Sequence, residues 1–385
     1  MHRQNTFAHV VSLRLAAALC GLFLACAAAG HAQAGSGAPP GRLITSMGVA
    51  VNPSTHKTYA VDERGGSVMV INSAGTTRTV KVGANPIALA IDRKTNKIYV
   101  ANTGSGSISV IDGASDEVVA TIPGEAHPYA IAVNDITGTV YVTNTYSDAV
   151  TVIDERVDTA HPLNVGGADG IAIDSRTNTI FLTHYEDPDL RLVDGATGAV
   201  KKIRVGAHIW GMVFDEDSGS LYLAHTVTAE IVSVDEKTLA VRTIPVGQIP
   251  CALAVNPATQ RLYAVNYGDE TLSVIDLRSQ RAIATIPLGH HPQAVTVDPI
   301  RNVIYVANVH GNSVTAIDGR NNRKIGVFAA GEDPYAVAVD AKTGQVFTAN
   351  YGSPVLTQVK VERRAADGTG QGISPGALRL LGVSD

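Results

Sequence analysis

From residue 47 to about residue 360 the chain alternates apolar and polar positions in short runs, each bounded by Gly, Asn, Asp or Pro. Ala88-Leu89-Ala90-Ile91, Ile98-Tyr99-Val100-Ala101-Asn102, Ile108-Ser109-Val110-Ile111 and Val118-Val119-Ala120-Thr121-Ile122 form one such set. Period-two alternation with β-branched residues predicts four consecutive strands, the last with the vaguest bounds. The first two are joined by Asp92 to Lys97, which puts Asn96 where a tight turn needs a positive φ. Gly138, Asn178, Gly219, Asn302 and Gly344 recur in that slot. His56 also falls there and reads as an exposed turn residue.

The set repeats. One aromatic marks each second strand, at Tyr59, Tyr99, Tyr141, Phe181, Tyr222, Tyr263, Tyr305 and Phe347, with gaps of 40, 42, 40, 41, 41, 42 and 42 residues. In the first strand, Gly48, Ala88, Ala130, Gly170, Gly211, Ala252, Ala294 and Ala336 hold one equivalent place, so only Ala or Gly occurs there. That taper predicts a closed ring, because strands converging on an axis leave no room for larger side chains. The expected fold is therefore all-β: a single β-propeller of eight blades, each of four antiparallel strands, spanning residues 42–385.

Tyr141-Val142-Thr143-Asn144, with its variants Tyr99-Val100-Ala101-Asn102 and Tyr305-Val306-Ala307-Asn308, resembles the signature of the secreted or periplasmic YVTN-repeat β-propellers. The resemblance covers roughly residues 47 to 360 and implies a fold, with little functional content. Many of those relatives look like seven-bladed rings, which makes seven blades the alternative. Eight blades are similar instead to the haem-carrying domain of cytochrome d1 nitrite reductases and their cofactor-assembly relatives. Either Ala377-Leu378-Arg379-Leu380-Leu381-Gly382 or Arg42-Leu43-Ile44-Thr45 is expected to complete the ring.

Composition narrows the class. The chain of 385 residues has 45% hydrophobic and 17% charged residues with 37 glycines, which suits a turn-rich β globule and excludes a coiled coil or a disordered chain. Leu15 to Ala29 is an apolar run followed by Ala32-Gln33-Ala34, the pattern of a secretory signal cleaved after Ala34. A membrane anchor or a lipoprotein cut before Cys26 are the alternatives. Residues 35–41 then form a Gly/Pro/Ser-rich linker. Cleavage leaves Cys251 without a disulfide partner in the chain and, by removing Arg3 and Arg14, takes the formal charge from -5 to -7. The expected protein is periplasmic or secreted, monomeric, without a transmembrane segment after cleavage, and a poor match for nucleic acid.

Propeller topology sorts the histidines. The loop that crosses into an innermost strand and the loop after the second strand open on one face, and His127, His184, His208, His225, His290, His291 and His310 all fall in such loops. Loops after the second strand begin at Asp62, Asn102, Asn144, His184, His225, Asn266, Asn308 and Asn350, so blades four and five alone put His where Asn prevails. The Asn reads as a loop holder, and His can play the same part. The candidate ligand-binding residues are His127, Tyr129, Asp169, His208, Trp210, His291 and Tyr335, the aromatics either gripping a ligand or plugging the channel. The candidate metal ligands are His184, His208 and His225, with Asp169, Glu186 or Asp187 beside them; imidazole suits zinc, copper or haem iron. No CxxCH, HExxH, GxSxG or phosphate-cradling glycine loop occurs. The leading expectation is a non-catalytic module that recognises a protein partner or a small ligand on this face. The alternative is a transition-metal or haem protein.

Overall fold

The structure is a computed structural model and describes residues 48–359. These form eight antiparallel sheets arranged as an eight-bladed β-propeller, seven sheets with four strands and the eighth with three among the described residues. Blade two runs Pro86–Asp92, Lys97–Asn102, Ser107–Asp112 and Glu117–Pro123 from the axis outward, and the others repeat it. Seven fourth strands occur among the described residues, each paired antiparallel with the third strand of its blade. Val49, Ala60 and Ile71 of blade one pack with Ala336, Phe347 and Leu356 of blade eight, which closes the ring. The termini proposed to complete blade eight, the signal segment and the linker all lie outside the described residues.

The aromatic of each second strand is 0–2% exposed and belongs to the apolar layer between two blades. Burying such a ring contributes roughly 1.5–3 kcal/mol. Tyrosine adds a polar strap at its tip. Tyr59 Oη donates to Asp116 of the next blade at 3.0 Å, and Tyr141 Oη donates to Asn178 at 3.2 Å. Burial, followed by the charge of Asp116, pushes the Tyr59 phenol far above its ordinary range, so it stays a donor. On the same side Lys57 reaches Asp116 at 2.8 Å and Lys97 reaches Asp158 at 2.9 Å, tying blade one to two and two to three.

The small residues of the innermost strands face the neighbouring strand. Ala88, Ala130, Ala294 and Ala336 are at most 1% exposed, and a Cβ placed on Gly211 would stand 2.4 Å from the Cys251 carbonyl oxygen. The turn slot also behaves as expected: Asn96, Gly138, Asn178, Gly219, Asn302 and Gly344 all have φ between 51° and 76°. His56 shares that conformation at φ 55° but is not an exposed residue. Its side chain is 19% exposed and its Nδ1 lies 3.1 Å from Asp340 of blade eight, because the ring seam brings that carboxylate under the turn. Among the described residues no helix is long and apolar enough to cross a membrane.

Candidate functional site

The loop face is built by two repeated devices. The first is the Asn after the second strand, buried and reaching across its own hairpin to a hydroxyl seven residues later. Asn102 donates to Ser109 at 2.9 Å, Asn144 to Thr151 at 3.1 Å, Asn266 to Ser273 at 2.9 Å, Asn308 to Thr315 at 2.9 Å and Asn350 to Thr357 at 3.0 Å. A buried amide so satisfied fixes the start of the loop. The loop-holding reading of this Asn is thus the one its bonds support.

The second device joins the crossing loop to the loop after the second strand. Asn85, His127, His208, Ile249, His291 and Asp333 precede an innermost strand with φ between 49° and 67°. In that left-handed conformation each turns its carbonyl toward the neighbouring loop, where the N–H of Thr103, Thr145, Thr226, Tyr267, Val309 and Tyr351 respectively donates at 2.9–3.1 Å. The positive φ of this position is not evident from the residues that occupy it. A signal was present in Asn85 and Asp333, residues that tolerate positive φ, but His127, His208, His291 and above all the β-branched Ile249 masked it.

Blade four abandons both devices. His184 replaces the Asn, and Arg191 replaces the hydroxyl residue seven positions on. Arg191 is 3% exposed, and its guanidinium donates to the Val165 carbonyl at 2.7 Å and to the Gly167 carbonyl. The Gly167 carbonyl, which occupies the usual acceptor position, is therefore taken. Tyr185 donates its backbone N–H to the Asp169 carboxylate instead, at 3.0 Å. His184 Nε2 stands 3.8 Å from the same carboxylate, with its side chain 36% exposed. In blade five the pair is His225 and Val232, and in blade one Asp62 and Met69. The joint loss of Asn and of its hydroxyl partner in these blades was legible in the sequence, at a spacing of seven that only the hairpin register makes meaningful.

The candidate residues distribute as follows. His225 is buried against Gly206, where an added Cβ would meet its Nε2 at 2.6 Å. Burial first, and the nearby His208 second, hold its imidazole below the ordinary range. His208 meets Tyr185 edge-on at 5.1 Å, and His127 meets Tyr146 edge-on at 4.7 Å. His291 lies 4.2 Å from His310 and 5.1 Å from Tyr267, its imidazole also lowered, chiefly by burial and then by His310. Among the described residues no three His, Cys, Asp or Glu side chains are grouped as a metal site, so His184, His208 and His225 are not gathered into a ligand set here.

Tyr129 is buried in the layer of blades three and four, and Trp210 packs against that layer and against the blade-six layer as well. Tyr335 stacks on Tyr351 at 4.3 Å and fills the space over Gly48, whose added Cβ would meet its ring at 2.4 Å. These three rings thus pack into the innermost strands. Around blades three and four, Thr145, Asp148, His184, Asp187, Arg191 and Lys202 line an open cleft of about 660 Å³. The crossing residues Val165, Gly166 and Gly167 form part of its wall, and no pattern in the sequence singles it out.

No family model and no curated protein matches the sequence. Solved structures match the fold. Hydrazine synthase of Kuenenia stuttgartiensis superposes with a TM-score of 0.61 at 19% identity, covering 75% of this chain and 99% of that one. The computationally designed Ika8 protein gives 0.66 at 12% identity, covering 83% and 100%. A chain of the mitotic checkpoint complex gives 0.58 at 16% identity, covering 73% and 94%. At these identities the similarity is one of architecture.

Proposed function

We propose that this protein is a non-catalytic binding propeller of the YVTN-repeat kind, exported to the periplasm or secreted, that recognises a protein partner or small ligand on its histidine- and aromatic-bearing loop face. One observation carries the reading. The edge-to-face ring pairs His127–Tyr146, Tyr185–His208 and His291–His310 recur in blades three, four, five and seven on a face whose loops are already held by other bonds. In blades three and seven the buried Asn does that holding. A rigid frame carrying variable loops is a platform for recognition. The apolar run 15–29 with Ala32-Gln33-Ala34 supports export, and the formal charge of -5 argues against a phosphate-rich partner.

The test is to replace His127, His208 and His291 together by Asn, which tolerates the same backbone conformation and stands at Asn85 of blade two. Wild type and variant are screened in parallel for ligands and partners retained through purification. The expected result is an unchanged circular dichroism spectrum with the retained molecule lost. Retention by both proteins, or by neither, overturns the reading.

A further inference from the structure

The cleft between blades three and four carries four formal charges that do not pair. Arg191 and Lys202 are neighbours across the third and outermost strands of blade four. Asp148 comes from the loop after the second strand of blade three, and Asp187 from the matching loop of blade four. None of the four makes an ion pair with any described residue. Arg191 is the telling member. It is almost wholly buried, its Nε lacks a hydrogen-bond partner, and its terminal nitrogens reach only neutral carbonyls. Burial disfavours its charge, and the more distant Asp187, Asp169 and Asp148 offset that. Thr145 Oγ1, in the same lining, is likewise buried without a partner.

A simple anion placed there would meet Asp148 and Asp187, and a simple cation would meet Arg191 and Lys202. A ligand bearing both signs satisfies all four. The cleft volume of about 660 Å³ exceeds what a single amino acid fills and falls within the usual range for ligand sites. Tyr146, 56% exposed at the rim, offers a ring face for a peptide plane or side chain.

We propose that this cleft binds a short zwitterionic peptide, its terminal carboxylate held by Arg191 and Lys202 and its terminal ammonium by Asp148 and Asp187. The assignment rests on the loop face being the binding face, and it names the ligand class for one site on it.

The experiment is equilibrium dialysis of the purified protein against a mixed tripeptide pool, in free, N-acetylated and C-amidated forms, with enrichment read by mass spectrometry. Free tripeptides are expected to be enriched, and either cap is expected to lower enrichment about tenfold, as loss of one charge-assisted contact does. Lys202→Gln, a change at an exposed position, is expected to lower it severalfold with unchanged thermal unfolding. Arg191→Met is expected to abolish it, and the Lys202 variant keeps the test valid if that protein fails to fold. No enrichment, equal enrichment of free and capped pools, or an unaffected Lys202→Gln variant overturns the proposal. A retained ligand of another class, insensitive to Lys202→Gln and lost in the triple histidine variant, leaves the binding-propeller reading standing while this one falls.

Discussion

Tyr185 gives its backbone N–H to the side chain of Asp169, at 3.0 Å, where the equivalent N–H of six other blades ends on a main-chain carbonyl. A carboxylate has been substituted for a peptide oxygen at one position of a repeated hydrogen-bond pattern, and Arg191 occupies the oxygen it displaced. Asp169→Ala is therefore expected to destabilise the fold by about 1–3 kcal/mol, the cost of a buried donor left unsatisfied. Asp169→Asn retains an acceptor and should cost less. Urea unfolding of both variants checks the order; equal losses would mean that the hydrogen bond to Tyr185 is not what Asp169 supplies.

Restoring the prevailing pair tests whether His184 and Arg191 act together. Arg191→Thr alone removes two charge-assisted bonds to the crossing loop and should cost about 2–4 kcal/mol. Adding His184→Asn rebuilds the Asn-to-hydroxyl bridge seen in blades two and three. The double variant should then be more stable than the single by at least about 1 kcal/mol, a coupling that unlinked positions do not show. Additive effects in the same unfolding measurement contradict it.

These two residues also show where reading the chain succeeded and where it stopped. The repeat, the blade count, the strand order and the positive-φ turn slot were all legible, because period-two alternation and a 41-residue spacing act on every blade alike. His184 stood out as a departure for the same reason. Arg191 did not, since a basic residue inside a strand reads as solvent-facing until the register shows it under the Val165–Gly167 crossing. Tyr129, Trp210 and Tyr335 were located on the correct strands, but whether they faced a ligand or packed inward depended on contacts with other blades. No local pattern encodes those.

Glu155 gives the chain a pH dependence on the opposite face. It is 7% exposed, and burial first, then the adjoining Asp92, pushes its carboxyl up to about 7. Between the ordinary carboxyl range and that value the folded chain retains a proton that the unfolded chain has released, so this contribution to stability falls as pH rises through the window. Glu155→Gln keeps the donor to Asp92 and removes the titration. Thermal melts across that range should show the variant gaining on wild type as pH increases. A constant difference between the two proteins would exclude a shared proton.

Gly211 separates what the repeat permits from what the packing permits. Five of the eight equivalent positions hold Ala, so the sequence pattern alone predicts that Gly211→Ala is harmless. The 2.4 Å approach of the added Cβ to the Cys251 carbonyl predicts instead a loss of about 1–3 kcal/mol, because backbone must move to admit it. A lowered melting temperature supports the contact, and an unchanged one refutes it.

The altered hairpin of blade four follows blade three, whose Asn144–Thr151 bridge and Tyr141–Asn178 strap keep the common plan. Its two cations, Arg191 and Lys202, are carried within a single repeat, and the carbonyls that Arg191 grips lie in the crossing that leads into it. A recombination that copied this unit over another blade would transplant the cleft's cations without redrawing the ring, and one that copied blade two over it would erase them. In a protein assembled from duplicated units, the cationic half of such a cleft is then a heritable cassette, gained or lost in one genetic event.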